Sequence, residues 1–191
     1  MIPWVLFDMG YLCYRAMHAV GDLEHEDVPT GIIFGVFSQL RQICLDPRVR
    51  SNRIVMFCDS RKSLRKQIYP EYKWRRTERT EEEIERIQMM RGQMDLLVRE
   101  VFPKIGIPVY QQDGLESDDL IASVALELET LRGSNGGQKR LAVMITSDGD
   151  LFQCIGHSVH WYDPQRNTYY DPGLFLEAKG IGCGLWGEVK A

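Results

Sequence analysis

Leu141-Ala142-Val143-Met144-Ile145-Thr146-Ser147-Asp148-Gly149-Asp150 is a short apolar run that ends on two carboxylates. A continuous apolar run of this length, closed by a turn signal, reads as a β-strand. The same phrase recurs upstream. Trp4 to Phe7 precedes Asp8, Ile54 to Cys58 precedes Asp59, and Ile107 to Tyr110 precedes Glu116, Asp118 and Asp119. In an open α/β sheet the carboxyl ends of parallel strands face one crevice, so acids distant in sequence can meet there. Carboxylates crowded as bare anions would raise one another's pKa and destabilise the fold. A bound cation resolves that conflict: oxygen ligands favour Mg²⁺ or Mn²⁺, and the number of acids suffices for two ions. Paired ions of this kind serve in-line displacement at a phosphodiester.

Between these strands the pattern turns helical, which predicts a mostly parallel sheet with helices on its faces. Leu12 to Val20 forms the first helix, and Pro29 and Thr30 introduce a second carrying Ile32, Ile33, Val36, Phe37, Leu40 and Ile43. A long helix runs from about Glu82 through Val101, with Met89, Met90, Met94, Leu96, Leu97 and Val98 facing the core. Ser117 to Leu131 follows the third strand, and Gly133, Ser134, Asn135, Gly136 and Gly137 make a loop. Ser158 to Tyr162 and Thr168 to Tyr170 flank a turn and read as a hairpin. Asp171 and Pro172 then open a short helix through Ala178, and Leu185 to Ala191 starts another.

The apolar fraction of 44% and charged fraction of 26% place the chain among ordinary globular proteins, and 191 residues suffice for one domain with a real core. Five widely spaced cysteines without a Cys-x-x-Cys pair indicate buried, reduced thiols in a cytoplasmic protein. No run approaches membrane-spanning length, so no membrane partner is expected. A net charge of -4 does not exclude nucleic acid, because the charge is segregated. Arg61, Lys62, Arg65, Lys66, Lys73, Arg75, Arg76 and Arg79 are interleaved with Tyr69, Tyr72 and Trp74. Cations meet phosphates and rings stack on bases in single-strand channels. The plain alternative is a solvated charged helix followed by the acidic run from Glu81. Acids at a helix start, as at Glu116-Ser117-Asp118-Asp119, also occur simply to complement the helix dipole, and Asp148-Gly149 is a common turn. His18, His25, His157 and His160 are ungrouped and receive no catalytic role.

Five motifs then occur together. They are Asp8 with Tyr14-Arg15-Ala16 and His18-Ala19; Phe57-Cys58-Asp59; Tyr72-Lys73 with Arg76; Gly114-Leu115-Glu116-Ser117-Asp118-Asp119; and Thr146-Ser147-Asp148-Gly149-Asp150-Leu151. In order and approximate spacing the chain resembles the 5′ nuclease family: the amino-terminal domain of bacterial DNA polymerase I, bacteriophage 5′ exonucleases and flap endonucleases. The stretches Tyr69 to Lys73 and Arg79 to Glu83 are most similar to phage-type members.

The resemblance implies a PIN-like 5′ nuclease core, with a helical arch over about residues 61–90 and a single catalytic domain spanning 1–191. It implies metal-dependent hydrolysis of DNA at a 5′ end, flap or single-stranded overhang, in replication or repair. By it Asp8, Asp59, Glu116 and Asp118 organise a first Mg²⁺, replaceable by Mn²⁺, and Asp119, Asp148 and Asp150 a second. Lys73 and Arg76 match positions that contact the scissile phosphate; Tyr14, Arg15, Tyr72, Arg75 and Arg79 join them as candidate DNA contacts. Asp8 is followed by Met9-Gly10 instead of an immediate glycine, which alters the first turn. The chain stops at Ala191, where the family continues into further metal-binding aspartates and a helix-three-turn-helix element, so an incomplete second metal site and a missing duplex grip are expected. Two other readings stay open: a PIN-type ribonuclease sharing the carboxylates, and a non-catalytic nucleic-acid-binding module.

Overall fold

The computed structural model describes residues 2–72, 79–135 and 140–190. At its centre lies β1 (Trp4–Asp8), paired in parallel with β4 (Arg53–Phe57) on one side and β6 (Ala142–Ile145) on the other. Beyond β4 sits β5 (Val109–Tyr110), and beyond β6 comes β7 (Val159–Asp163), both parallel; β8 (Thr168–Tyr170) closes the far edge antiparallel to β7. The order β5-β4-β1-β6-β7-β8 makes the chain reverse its direction of winding between β1 and β6. That switch point is where an open α/β sheet leaves a crevice at its carboxyl edge.

Alternation along the strands supplies both faces with apolar surface. Val5, Phe7, Met56, Val143 and Ile145 point one way, onto α1 (Met9–Val20), α2 (Gly31–Leu45) and α4 (Glu81–Leu96). Leu6, Val55, Phe57, Ala142 and Met144 point the other way, onto α6 (Ser117–Asn135) and α7 (Pro172–Lys179). Burial on both faces explains why the strands lack polar alternation. The predicted helices on both faces are therefore present.

α1 and α2 approach closely because Gly35 faces Ala16: a Cβ on Gly35 would lie 2.6 Å from the Ala16 Cβ. α4 begins with a capping box, Thr80 accepting from the Glu83 amide at 3.2 Å while the Glu83 carboxylate accepts from the Thr80 amide at 3.0 Å. The acidic run after Arg79 thus starts a helix and complements its dipole. Gln93 fixes α4 to the core by accepting from the amides of Ile32 and Ile33 at the start of α2, at 3.0 and 3.2 Å.

Several expectations need correction. The helix expected through Val101 changes pitch, with a π-helical turn at Leu97–Val101 before a last short turn, α5 (Phe102–Lys104). The Phe102 amide reaches Leu97 five residues back, and this keeps both apolar side chains fully buried. Met90 and Leu97 are core residues as expected, but Met89 and Leu96 are exposed, since they lie off the buried stripe. The third strand is shorter than Ile107 to Tyr110. The polar stretch after Gly21 hides a small hairpin, β2 (Glu24–His25) with β3 (Val28–Pro29), turned by positive φ at Glu26 and Asp27. Asp163 ends β7 instead of lying in the turn. Gly133 to Asn135 continue α6, whereas Gly136 and Gly137 lie outside the described residues. A five-residue helix, α8 (Trp186–Lys190), follows a 3₁₀ turn over Cys183–Leu185.

All five cysteines are free, four buried and Cys44 partly so. Burial pushes the Cys58 thiol up to about 12 and those of Cys44 and Cys154 to about 11. Among the described residues no helix is long and apolar enough to cross a membrane.

Candidate functional site

Asp8, Asp59 and the Asp148–Asp150 pair follow strand ends, whereas Glu116, Asp118 and Asp119 sit at the start of α6, past the loop that leaves β5. Asp8 terminates β1, and its Oδ1 caps α1 by accepting from the Tyr11 amide at 3.1 Å. Burial pushes the Asp8 carboxyl up to about 6, against the Tyr11 amide and with help from the nearby charges of Asp59 and Asp118. Asp59 follows β4 and accepts from the Ser117 amide at 2.8 Å. The Ser117 side chain lies beside Asp8 and favours its charged form. One buried serine at the start of α6 therefore meets both Asp8 and Asp59. The sequence places Ser117 inside the acidic motif but gives no sign of this role, since a serine at a helix start reads as an ordinary cap.

Glu116, Asp118 and Asp119 converge on a cation that sequence reading left among the general basic residues. Arg65, on the short helix α3 (Leu64–Ile68), sets Nη1 2.5 Å from Glu116 Oε2 and 3.7 Å from Asp118 Oδ1, and Nη2 2.6 Å from Asp119 Oδ1. Asp119 also accepts from the Glu116 amide at 3.0 Å, which folds the motif back on itself. Burial, then the Asp119 charge, raises the Asp118 carboxyl above its ordinary value. Burial disfavours the Arg65 charge, but Asp119, Asp118 and Glu116 outweigh it and hold the guanidinium protonated. Tyr72 adds its hydroxyl, donating to Glu116 Oε2 at 2.9 Å.

Asp148 and Asp150 lie past β6, across the switch point. Asp148 caps a 3₁₀ turn (Gly149–Cys154), accepting from the Asp150 amide at 2.8 Å, and its carbonyl accepts from the Trp161 indole at 3.2 Å. Asp150 is exposed. Beside them an open cleft of about 490 Å³ is lined by Tyr11, Tyr14, Arg15, His18 and Ser147. Tyr11 donates to the buried Asp163 at 2.8 Å, a link that sequence reading missed. Arg79 comes within 3.4 Å of the Tyr14 hydroxyl, so the residue before the α4 cap faces this cleft. Lys73, Arg75 and Arg76 lie outside the described residues.

Among the described residues no three acidic, histidine or cysteine side chains are drawn tightly enough round one point to hold an ion as they stand. Glu116, Asp118 and Asp119 instead surround a guanidinium. A donor set of carboxylate oxygens already gathered round a positive charge nevertheless fits a hard divalent cation in its chemistry.

The reversed winding order and the acids at its carboxyl edge define a doubly wound α/β domain with a cation-attracting crevice. The chain belongs to the 5′-3′ exonuclease family: residues 3–180 match the N-terminal resolvase-like domain of that family. It is 28% identical over 184 residues to DNA polymerase I of Rhizobium leguminosarum, covering 92% of this chain and 17% of the polymerase. It is 26% identical over 180 residues to the 5′-3′ exonuclease of Buchnera aphidicola subsp. Acyrthosiphon pisum, covering 94% of this chain and 58% of that protein. The chain thus spans a minor part of the polymerase and little more than half of the exonuclease.

Two bacteriophage T5 structures share the fold. The T5 5′-exonuclease with bound zinc superposes with a TM-score of 0.70 at 16% identity, over 96% of this chain and 64% of that one. The T5 flap endonuclease with DNA and metal ions gives 0.69 at 17%, over 96% and 63%.

Proposed function

We propose that this chain hydrolyses phosphodiester bonds of DNA at 5′ ends or 5′ flaps. Two divalent ions, Mg²⁺ with Mn²⁺ as substitute, would be held by Asp8, Asp59, Glu116, Asp118, Asp119, Asp148 and Asp150. The observation that carries this reading is the convergence of Glu116, Asp118 and Asp119 on one positive charge, with Asp8 and Asp59 both beside Ser117. Family membership and the metal ions and DNA named for the T5 structures support it.

Bound there, the ions would lower the pKa of an attacking water and offset charge on the phosphate. The chain's own part is to hold the acids and guide the strand. Ser117 orients Asp8 and Asp59 from one point. Lys73 and Arg76 are assigned to the scissile phosphate, where cations fixed in advance stabilise developing charge. Tyr14, Arg15, Tyr72, Arg75 and Arg79 are assigned to the strand, rings against bases and cations against phosphates. A cytoplasmic setting in replication or repair agrees with relatives named DNA polymerase I.

The test compares a 5′-flap DNA and a single-stranded RNA, each with Mg²⁺ and with EDTA. Cleavage of the flap only with Mg²⁺ is expected. Asp119→Asn should slow it by more than the roughly 10–100-fold typical of a lost outer-shell partner. Cleavage of RNA alone would mark a PIN-type ribonuclease, and DNA binding without cleavage a non-catalytic module.

A further inference from the structure

The helix that carries Arg65 is anchored in two different ways. Its beginning is fixed by backbone bonds: the Leu64 amide donates to the Gly114 carbonyl at 3.0 Å, and Ser63 forms a strand-like bridge with Gly114. Gly114 takes φ +88°, which suits glycine, and its amide donates to Ser60 Oγ at 3.0 Å. Beyond that point the segment has little apolar hold. Leu64, Ile68 and Tyr69 are 47%, 77% and 57% exposed. Polar contacts with the acidic crevice hold it down instead: Arg65 on Glu116, Asp118 and Asp119, and the Tyr72 hydroxyl on Glu116, with the guanidinium 5.8 Å from the Tyr72 ring centre.

We propose that Arg65 is the resident counter-ion of this crevice in the metal-free protein, that a divalent cation must displace it, and that its release lets the Arg65–Tyr72 strap lift from the crevice for the substrate strand. The inference rests on the metal-dependent reading above. One guanidinium offsets a single charge among three carboxylates, whereas a divalent ion offsets two from a smaller volume. Magnesium takes its oxygens at about 2.0–2.1 Å in a near-octahedral shell, and a planar fork bridging the same carboxylates leaves no room for that shell. An arginine cannot escape by losing its proton, so displacement is its only response. A segment with few buried apolar contacts opens at low cost once its polar tie is cut. Arg65 is thus a positioning residue: it keeps the acids gathered and the crevice covered until metal arrives.

The experiment is titration of Mg²⁺ into the wild-type chain, Arg65→Gln and Arg65→Lys by calorimetry, with circular dichroism to confirm folding. If the guanidinium competes with metal, Arg65→Gln should bind Mg²⁺ on the order of tenfold more tightly, the equivalent of about 1.4 kcal/mol. Arg65→Lys, which keeps the charge but loses the fork, should fall between. An arginine that merely braces the acids would give the opposite order, with weaker binding in both variants. Saturating Ca²⁺ should also speed tryptic cleavage after Arg65 in the wild-type chain by at least about threefold, since an opened segment is cut more readily. Metal bound equally or less tightly by Arg65→Gln, or cleavage unchanged by Ca²⁺, would overturn the strap alone. No Mg²⁺ binding by any of the three would overturn the metal-dependent reading together with it.

Discussion

Ser117 shows how much can depend on one side chain with no conspicuous signature. Its amide donates to Asp59 and its side chain lies beside Asp8, at the start of a third element. Ser117→Ala keeps the amide bond and loses the hydroxyl. Calorimetry should then show Mg²⁺ affinity reduced by roughly 10–100-fold, the usual effect of losing a group that orients ligands; an unchanged affinity would remove Ser117 from the site. Asp46 offers a residue-scale test of stability. Hydrogen bonds from Arg48, at 2.7 and 2.9 Å, hold its carboxyl down at about 2, below the ordinary 3.8. A depressed carboxyl stabilises the fold above its unfolded pKa, and that contribution is lost as pH falls from near 4 through about 2. Because the pair is partly solvated, Asp46→Asn should cost only about 1 kcal/mol at pH 7. Urea melts should find that difference at pH 7 and nearly none at pH 2. At this scale the sequence made the acids legible, since they follow apolar runs. Arg65 was not, because nothing local separates it from the other cations of its segment.

At the scale of elements, helix packing follows side-chain size. Gly35→Ala would place a Cβ 2.6 Å from the Ala16 Cβ and 2.9 Å from Val20 Cγ2. Overpacking of this kind costs about 1–3 kcal/mol, and thermal unfolding should fall by roughly 2–4 °C per kcal/mol. Adding Ala16→Gly should recover part of the loss; no recovery would mean the strain lies elsewhere. Long apolar runs and helical spacing made the main strands and helices legible. The small hairpin Glu24–Pro29 was not, because it is polar and depends on backbone conformation at Glu26 and Asp27. The change of pitch at Leu97 leaves no local mark either: it appears only where Leu97 and Phe102 must both reach the same core.

For the whole molecule, strand order was not written in any single segment, yet the alternation of strand and helix pointed to a mostly parallel sheet with helices on its faces. The family resemblance then implied what periodicity could not, above all which acids would belong to which ion. If those acids bind metal in the folded chain only, Mg²⁺ should stabilise it by mass action, about 2.7 kcal/mol at a hundred times the dissociation constant. Thermal melts with Mg²⁺ and then excess EDTA should show the gain and its reversal, and a melting point indifferent to both would argue against a site formed on folding. The sheet's outer strands have a further consequence. β5 has two residues and follows Pro108, which has no amide hydrogen to donate; β8 has three and is followed by Asp171 and Pro172. Each rim therefore presents only a short ladder of open backbone groups, too little for a stray strand to extend. The apolar strands that build the crevice lie inside this sheet, shielded from templated self-association.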